Sequence, residues 1–348
     1  MKTVVNGRPV LCAFFKRRVV FMGLFISSEE IEKIEKRHLY FSQEQTKMAL
    51  KVQSEACFYL NKFLRSKGFV ELRPPIISSC TDTGIRGAGT AIIDFYGRPY
   101  KVTISMILHK ELAITAFDKI FSFSPNIRLE PLESIATKRH LAEFTQLDLE
   151  AAYYNRDDVI FLAEEMLCYC ISRLKKECKD ALSYFRQKLR KPKRPFKKIT
   201  YAKAFYVLSS EGLEFAYGSE IPWDGEKLLS KIFGGFFWIT DYPLGSRGFY
   251  EKQNCDALVD FDLIYPEDYG EAISGSEREH DAKKVMQKMR EASLNPEDFK
   301  WYLEILKKGV PPSSGFGIGI ERFTRYLCGL EAVWHAAAFP KVPGIYSP

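Results

Sequence analysis

The sequence predicts an α+β fold with many antiparallel-looking strands. Long stretches of helical periodicity lie between short apolar runs that read as strands. These runs do not alternate with helices in the regular order of a parallel βαβ sheet, and no internal repeat breaks the pattern. With 348 residues, 46% hydrophobic and 27% charged, the chain has apolar side chains enough for a large core. A disordered tail or a disulfide mini-scaffold is excluded.

The elements follow in order. Two short β-like runs, Val10 to Phe15 and Val19 to Ile26, precede a charged helical stretch from Ser28. Residues 1–41 thus read as an N-terminal extension and residues 42–348 as the main domain. From Ser42 to Lys67 the apolar positions Met48, Val52, Ala56, Tyr59, Leu60 and Phe63 recur at three- and four-residue steps, and Gly68 ends the helix. Phe69 to Leu72 is a strand, broken by Pro74 and Pro75. Lys101 to Ile107, Ile120 to Ile127 and Phe144 to Tyr154 read as strands, and alternation in the last puts Phe144, Gln146, Asp148 and Glu150 on one face. Asp157 to Lys179 is a second long helix with Asn155 or Asp157 as its cap. Beyond it come Ile199 to Tyr201, a helix to Gly212, strands Gly235 to Thr240 and Cys255 to Tyr265, and helices Asp281 to Ala292 and Pro296 to Lys308. Gly315 to Ile320 is the last strand, and Glu321 opens the final helix.

Charge and cysteine usage narrow the class. The net charge is +7, yet eight of the basic residues and no acidic ones fall between Arg186 and Lys198, so the remainder carries −1. That run, with Pro192 and Pro195 inside it, reads as a solvated connector in preference to a polyanion patch. None of the eight cysteines forms a C-x-x-C pair, which fits free thiols in a reducing compartment better than a zinc site. No run approaches the roughly 20 apolar residues of a membrane helix. The chain reads as soluble and cytoplasmic.

The string Gly315-Phe-Gly-Ile-Gly-Ile-Glu-Arg322 is neither a dinucleotide fingerprint nor a P-loop. Two meanings are open on these residues alone. One is a glycine strand approached by a flat ligand, running into a helix whose N-terminus and Arg322 favour phosphate. The other is a tightly packed strand whose arginine pairs with an internal carboxylate.

Taken with two further strings, the balance changes. Ile127-Arg128-Leu129-Glu130, followed by Lys138-Arg-His-Leu-Ala-Glu-Phe144 and its strand to Glu150, resembles the second signature motif of class II aminoacyl-tRNA synthetases. Gly68 to Pro75 resembles their first motif and Gly317 to Arg322 their third. Arg139-His-Leu-x-Glu-Phe144, together with Asp262 and Glu271-x-x-Ser-Gly-Ser-x-Arg-Glu-His-Asp281, is similar to the aspartyl and asparaginyl branch, and Phe339-Pro340-Lys341 resembles its closing Phe-Pro-Arg. The resemblance covers about Gln45 to Gly344. It implies an antiparallel sheet flanked by helices, a class II synthetase-like catalytic core, and a homodimer formed through the Gln45 helix and the strand to Pro75.

It also implies roles. An anionic carboxylate must reach the α-phosphate of ATP, so cations must shield both. Arg128 would hold the α-phosphate and the attacking carboxylate, and Arg322 the γ-phosphate; these two are the catalytic candidates. Glu130, His140, Leu141, Phe144, Glu271, Ala272 and Gly319 would complete the ATP site, with Phe144 stacked on adenine. Asp262, Glu271 and Ser274 would hold Mg²⁺ through oxygen ligands. Asp82, Ser105, Lys110, Gln146, Asp148, Ser274 and Arg278 would seat the amino acid. The aspartyl branch carries a lysine where Lys110 stands, so Lys110 with Arg278 predicts a dicationic pocket for aspartate. The family's two glutamines in this string are Ile104 and Ile107 here, and Asp82 stands for its glutamate.

That branch carries an N-terminal anticodon-binding barrel of roughly a hundred residues, and only 41 residues precede the first long helix here. The expectation is therefore the chemistry of the related archaeal asparagine synthetase: aspartate, ATP and ammonia giving asparagine, AMP and pyrophosphate, with tRNA not a main substrate and no membrane partner. The alternatives are a truncated synthetase acting on tRNA or another acceptor, and a non-catalytic nucleotide-binding paralogue.

Overall fold

The computed structural model describes residues 4–5, 8–9, 26–83, 87–187 and 189–348. The predicted β-runs Val10 to Phe15 and Val19 to Ile26 lie outside them, except for Ile26 itself. The short strands β1 (Val4–Val5) and β2 (Arg8–Pro9) pair antiparallel, and helices α1 (Ser28–Glu35), α2 (Arg37–Tyr40) and α3 (Glu44–Ser66) come later in the chain. Next come β3 (Val70–Glu71), β4 (Ile77–Ser78), β5 (Ile92–Phe95), β6 (Arg98–Val102), α4 (Ile107–Ala113), β7 (Lys119–Ile127) and β8 (Glu143–Ala152). The middle of the chain holds α5 (Arg156–Glu177), α6 (Lys179–Tyr184), β9 (Lys197–Thr200), α7 (Tyr201–Ser210), α8 (Trp223–Phe233) and β10 (Phe237–Thr240). It closes with β11 (Gln253–Asn254), β12 (Ala257–Leu258), β13 (Asp260–Ile264), β14 (Glu271–Glu277), α9 (Ala282–Glu291), α10 (Lys300–Lys308), β15 (Ser313–Gly319) and α11 (Ile320–Cys328).

Eight strands form one sheet in the order β3-β7-β8-β15-β14-β13-β10-β9. The six central strands are antiparallel, while both edge pairs, β3 with β7 and β9 with β10, are parallel, so the sheet is mixed. Its two faces separate by the period of two. Leu147, Leu149 and Ala151 of β8 and Phe316 and Ile318 of β15 face a core shared with α3, α5 and α11. Phe144, Gln146, Asp148 and Glu150 take the other face, as the alternation predicts.

Helix α3 buries Val52, Ala56, Leu60, Phe63 and Leu64 in this core, and Gly68 leaves it at φ +83°. Helix α5 starts one residue earlier than predicted. Asn155 Oδ1 accepts from the backbone N–H of Asp157 and Asp158, and Asp158 accepts from the N–H of Asn155 at 2.9 Å. This capping box satisfies donors that a helix N-terminus otherwise leaves open.

Three predictions need correction. Lys101 to Ile107 is not one strand: β6 ends at Val102 in a separate three-stranded sheet, and α4 begins at Ile107. Thr81 Oγ1 accepts from the N–H of Ile104 and Ser105 Oγ from that of Ile107, which turns the chain between the two elements. Cys255 to Tyr265 divides into β12 and β13, and Pro296 to Lys308 into a 3₁₀ turn over Pro296–Phe299 and α10.

Residues 26–40 pack into the body of the molecule. Ile26 and Ile34 join a core with Leu141, Trp334 and Val342, Glu30 accepts from Trp334 Nε1 at 2.5 Å, and Arg37 donates to the carbonyls of Ala337 and Ala338. Where the homodimer surface is expected, α3 exposes Phe58 and the edge strand β3 exposes Val70. In the basic run, Arg194 lies 4.1 Å over the Phe161 ring and pairs with Glu164, and Lys198 pairs with Asp157 at 2.6 Å. Cys80, Cys170, Cys178 and Cys328 are free and buried, and Cys255 is free and exposed. Among the described residues no helix is long and apolar enough to cross a membrane. Asn155→Ala is expected to destabilise the fold by about 1 kcal/mol, read as a lowered midpoint in chemical denaturation.

Candidate active site

The cavity face of β8, β14 and β15 is the floor of a cavity of about 200 Å³, walled by the loop before β8, the N-terminus of α4 and the loop between β10 and β11. It brings together Asp82, Ser105, Lys110, Arg128, Glu130, His140, Leu141, Phe144, Gln146, Asp148, Glu271, Ala272, Ser274, Arg278, Gly319 and Arg322. Of the residues given a site role from sequence, Asp262 alone does not line it.

The glycines settle how the floor is built. A Cβ on Gly317 would stand 1.8 Å from Gln146 Nε2, and one on Gly315 would stand 2.1 Å from Glu150 Oε2. Bare backbone therefore lets two β8 side chains cross the neighbouring strand. Gly317 and Gly319 also line the cavity, so close packing and an open approach coexist along β15.

One end of the cavity is dominated by guanidinium groups. Arg128 lies 4.9 Å over the Phe144 ring and donates to the carbonyl of Ile104. Arg322 donates from Nε to the carbonyl of Arg139 at 3.1 Å and from Nη1 to Glu271 at 3.3 Å. His140 contacts Thr137 Oγ1 through Nδ1 at 2.8 Å. Burial, and then the charges of Arg322 and Arg139, hold its pKa well below the ordinary histidine value. His140 is thus a neutral hydrogen-bonding group, and the cationic character belongs to the arginines. Glu321, at the start of α11, accepts the N–H of Thr145 with both oxygens at 3.1 Å, and burial pushes its pKa up to about 7.

The inner end is a buried ionic lattice. Arg278 donates from Nε and Nη2 to the two oxygens of Glu150, at 3.0 and 3.1 Å, and from Nη1 to Ser276. Lys110 donates to Asp148 at 3.1 Å and lies 3.7 Å from Glu150. Tyr250 donates to Asp82 at 3.0 Å. Behind the lattice Glu111 accepts from Tyr302 at 2.8 Å, and burial raises its pKa to about 8. The expected dicationic pocket is corrected here. Both cations already face carboxylates of β8, so the four groups sum to no net charge.

The expected metal set is also corrected. Asp262 shares the cavity face of β13 with Asp260, but Arg247 ion-pairs with both and lies 4.0 Å over Tyr242. Among the described residues no three His, Cys, Asp or Glu side chains form a metal-holding group. The carboxylate of Glu271 and the hydroxyl of Ser274 are hard oxygen donors, which suit Mg²⁺ only where phosphate oxygens complete its shell. Arg139, Arg247, Gly248, Tyr250, Glu251, Gly275 and Glu321 also line the cavity and had no role from sequence. Arg139 and Glu321 stood inside recognised strings. Nothing local marked Arg247, Tyr250 or Glu251, which reach the site from a loop.

A mixed sheet with helices packed on one face and a glycine-floored, arginine-rich cavity on the other defines the catalytic core of a class II aminoacyl-tRNA synthetase. Residues 29–343 match the family described as tRNA synthetases class II (D, K and N), and the chain belongs to it. The asparagine–tRNA ligase of Pyrococcus abyssi is 31% identical over 318 residues, covering 90% of this chain and 72% of the relative. The aspartate–tRNA(Asp/Asn) ligase of Methanopyrus kandleri is 31% identical over 316 residues, covering 89% and 71%. The structure of asparaginyl-tRNA synthetase from Pyrococcus horikoshii complexed with asparaginyl-adenylate superposes with a TM-score of 0.86 at 29% identity, covering 93% of this chain and 74% of that one.

These relatives overturn the expected ammonia-dependent asparagine synthesis and the expected exclusion of tRNA. Formation of an acyl adenylate, the chemistry the resemblance implied, does not by itself distinguish acceptors.

Glu111 supplies a pH test. Its carboxyl stays protonated in the folded chain up to about pH 8 but ionises near 4.5 when unfolded. The unfolded state therefore binds fewer protons between these values, and stability falls as pH rises through the window. Glu111→Gln, which copies the protonated form, should gain in melting temperature over the parent progressively from pH 5 to pH 8; a gain independent of pH would refute the assignment.

Proposed function

We propose that the protein activates asparagine with ATP as an asparaginyl adenylate and passes the asparaginyl group to tRNA. One observation carries the choice of amino acid: Lys110 and Arg278 are each neutralised by Asp148 and Glu150 at the inner end of the cavity. A neutral carboxamide can give and accept hydrogen bonds in such a balanced lattice, whereas a second carboxylate would be buried without a free counter-charge. The names of the Pyrococcus and Thermococcus relatives support the same reading.

In the first step the α-carboxylate oxygen attacks the α-phosphorus, the P–O bond to the β-phosphate breaks, and pyrophosphate leaves. Arg128 would neutralise the carboxylate and the α-phosphate together, while Phe144 beneath it offers a face to adenine. Arg322 would take the far phosphate. Asp82, which accepts a hydrogen bond from Tyr250, would receive the α-ammonium group. Mg²⁺, held by Glu271 and Ser274 with phosphate oxygens, would offset the charge of the triphosphate. In the second step a terminal ribose hydroxyl of tRNA attacks the carbonyl carbon, its proton is lost, and AMP departs.

Lys110 itself favours a second reading, aspartate, because its ammonium could leave Asp148 for a substrate carboxylate. Pyrophosphate exchange into ATP separates the two. Asparagine should support exchange and aspartate should not; exchange with aspartate alone would sink the asparagine reading. Labelled asparagine should then become acid-precipitable with tRNA, and release of free product without tRNA would overturn the acceptor. Arg128→Ala should slow exchange by about 10²- to 10³-fold, the usual loss when one donor to a developing charge is removed.

A further inference from the structure

Glu226 belongs to none of the strings that carried the family resemblance. It lies on α8, whose apolar residues pack in a separate cluster with α7, β9 and β10, and it does not line the cavity. Its side chain nevertheless turns inward and is 6% exposed. Its Oε2 accepts two hydrogen bonds, from Arg139 Nη1 at 2.6 Å and from the backbone N–H of Glu271 at 3.1 Å.

Those two partners sit on different elements, the loop before β8 and the first residue of β14, and both line the cavity. Arg322 joins them a second time, through the carbonyl of Arg139 and the carboxylate of Glu271. The result is a closed ring of four residues. Trp223, the first residue of α8, adds a plane beneath it: the Arg139 guanidinium lies 4.6 Å from the indole centroid. The packing is close on the side of Gly270. A Cβ on Gly270 would stand 2.5 Å from Trp223, 2.8 Å from Glu226 and 3.0 Å from Arg139, and its φ of +78° suits glycine. Arg139 Nε is buried without a hydrogen-bond partner. A cationic donor left so is costly, and an incoming phosphate oxygen is the kind of group that satisfies it.

We propose that Glu226 is a positioning residue for ATP, fixing Arg139 and the start of β14 so that the triphosphate meets a preformed cationic end of the cavity. Arginine has many rotamers, and holding one of them before the ligand arrives removes that ordering cost from binding. The α7–α8 segment is then a buttress for the phosphate end, contributing no group that touches the nucleotide. The inference rests on the reading of the cavity as an ATP site.

The test compares ATP with AMP, which lacks the β- and γ-phosphates. In Glu226→Gln the charge is lost at constant shape, so the Kd for ATP should rise about tenfold, the loss expected for a charged hydrogen bond. The Kd for AMP and the KM for asparagine should be unchanged. A merely structural role would weaken all three, and that result, or an unchanged ATP affinity, overturns the proposal. Should Glu226→Gln fail to fold, Arg139→Lys is the second variant: it keeps the charge but loses the planar contact with Trp223, and the same selective loss for ATP is expected. A parent protein that binds ATP but exchanges pyrophosphate with no amino acid would instead refute the proposed function and leave the Glu226 result standing.

Discussion

The buried pairing of Glu150 with Arg278 is the interaction on which the site depends. Both oxygens of one carboxylate meet two nitrogens of one guanidinium, with the Ser313 hydroxyl adding a third bond to Glu150 and that of Ser276 accepting from Arg278. Such a pair is stable only when every donor and acceptor is met, because each ion has been taken out of water. Here the sheet meets that condition. Strand β15 gives up its side chain at Gly315 so that Glu150 can reach across it, and β14 gives up its own at Gly275, where a Cβ would stand 2.4 Å from the Gly315 carbonyl. Removing one partner would leave an uncompensated charge in the interior, at about 3–5 kcal/mol.

From that pair the polarity of the cavity follows. Glu150 and Asp148 lie two residues apart on one strand, so their carboxylates share a face and draw Lys110 in from α4. At the inner end these four charges balance. Toward the other end the guanidinium groups of Arg128, Arg139 and Arg322 converge, three cations that a triphosphate could meet. On the proposed reading, the opposite demands of a neutral amide at one end and a polyanion at the other fall on one sheet face about three strands wide.

Much of this arrangement was legible in the chain. The period of two from Phe144 to Glu150 placed four side chains on a common face, and the ordered strings around Arg128, Glu271 and Arg322 pointed to acyl-adenylate chemistry. What misled was charge counted without partners. Lys110 read as a free cation because nothing local shows that Asp148, 38 residues away, lies within hydrogen-bond distance. Asp262 was expected at the metal through the family resemblance, and nothing local in the chain marks its ion pair with Arg247. Ile104 to Ile107 read as strand from its apolar residues, yet two hydroxyls turn it into a helix start.

The sequence by itself determined what is periodic or local: which side chains of β8 share a face, where α3 ends, that α5 opens on a cap at Asn155 or Asp157, and which strings resemble the class II motifs. Only the tertiary structure decided which charges are free. Coulomb energy depends on distance through space and on the dielectric around the pair, and Glu226, Arg139 and Glu271 come from three separate parts of the chain. Until the sheet closes and excludes water, no order of residues says which cation will meet which carboxylate.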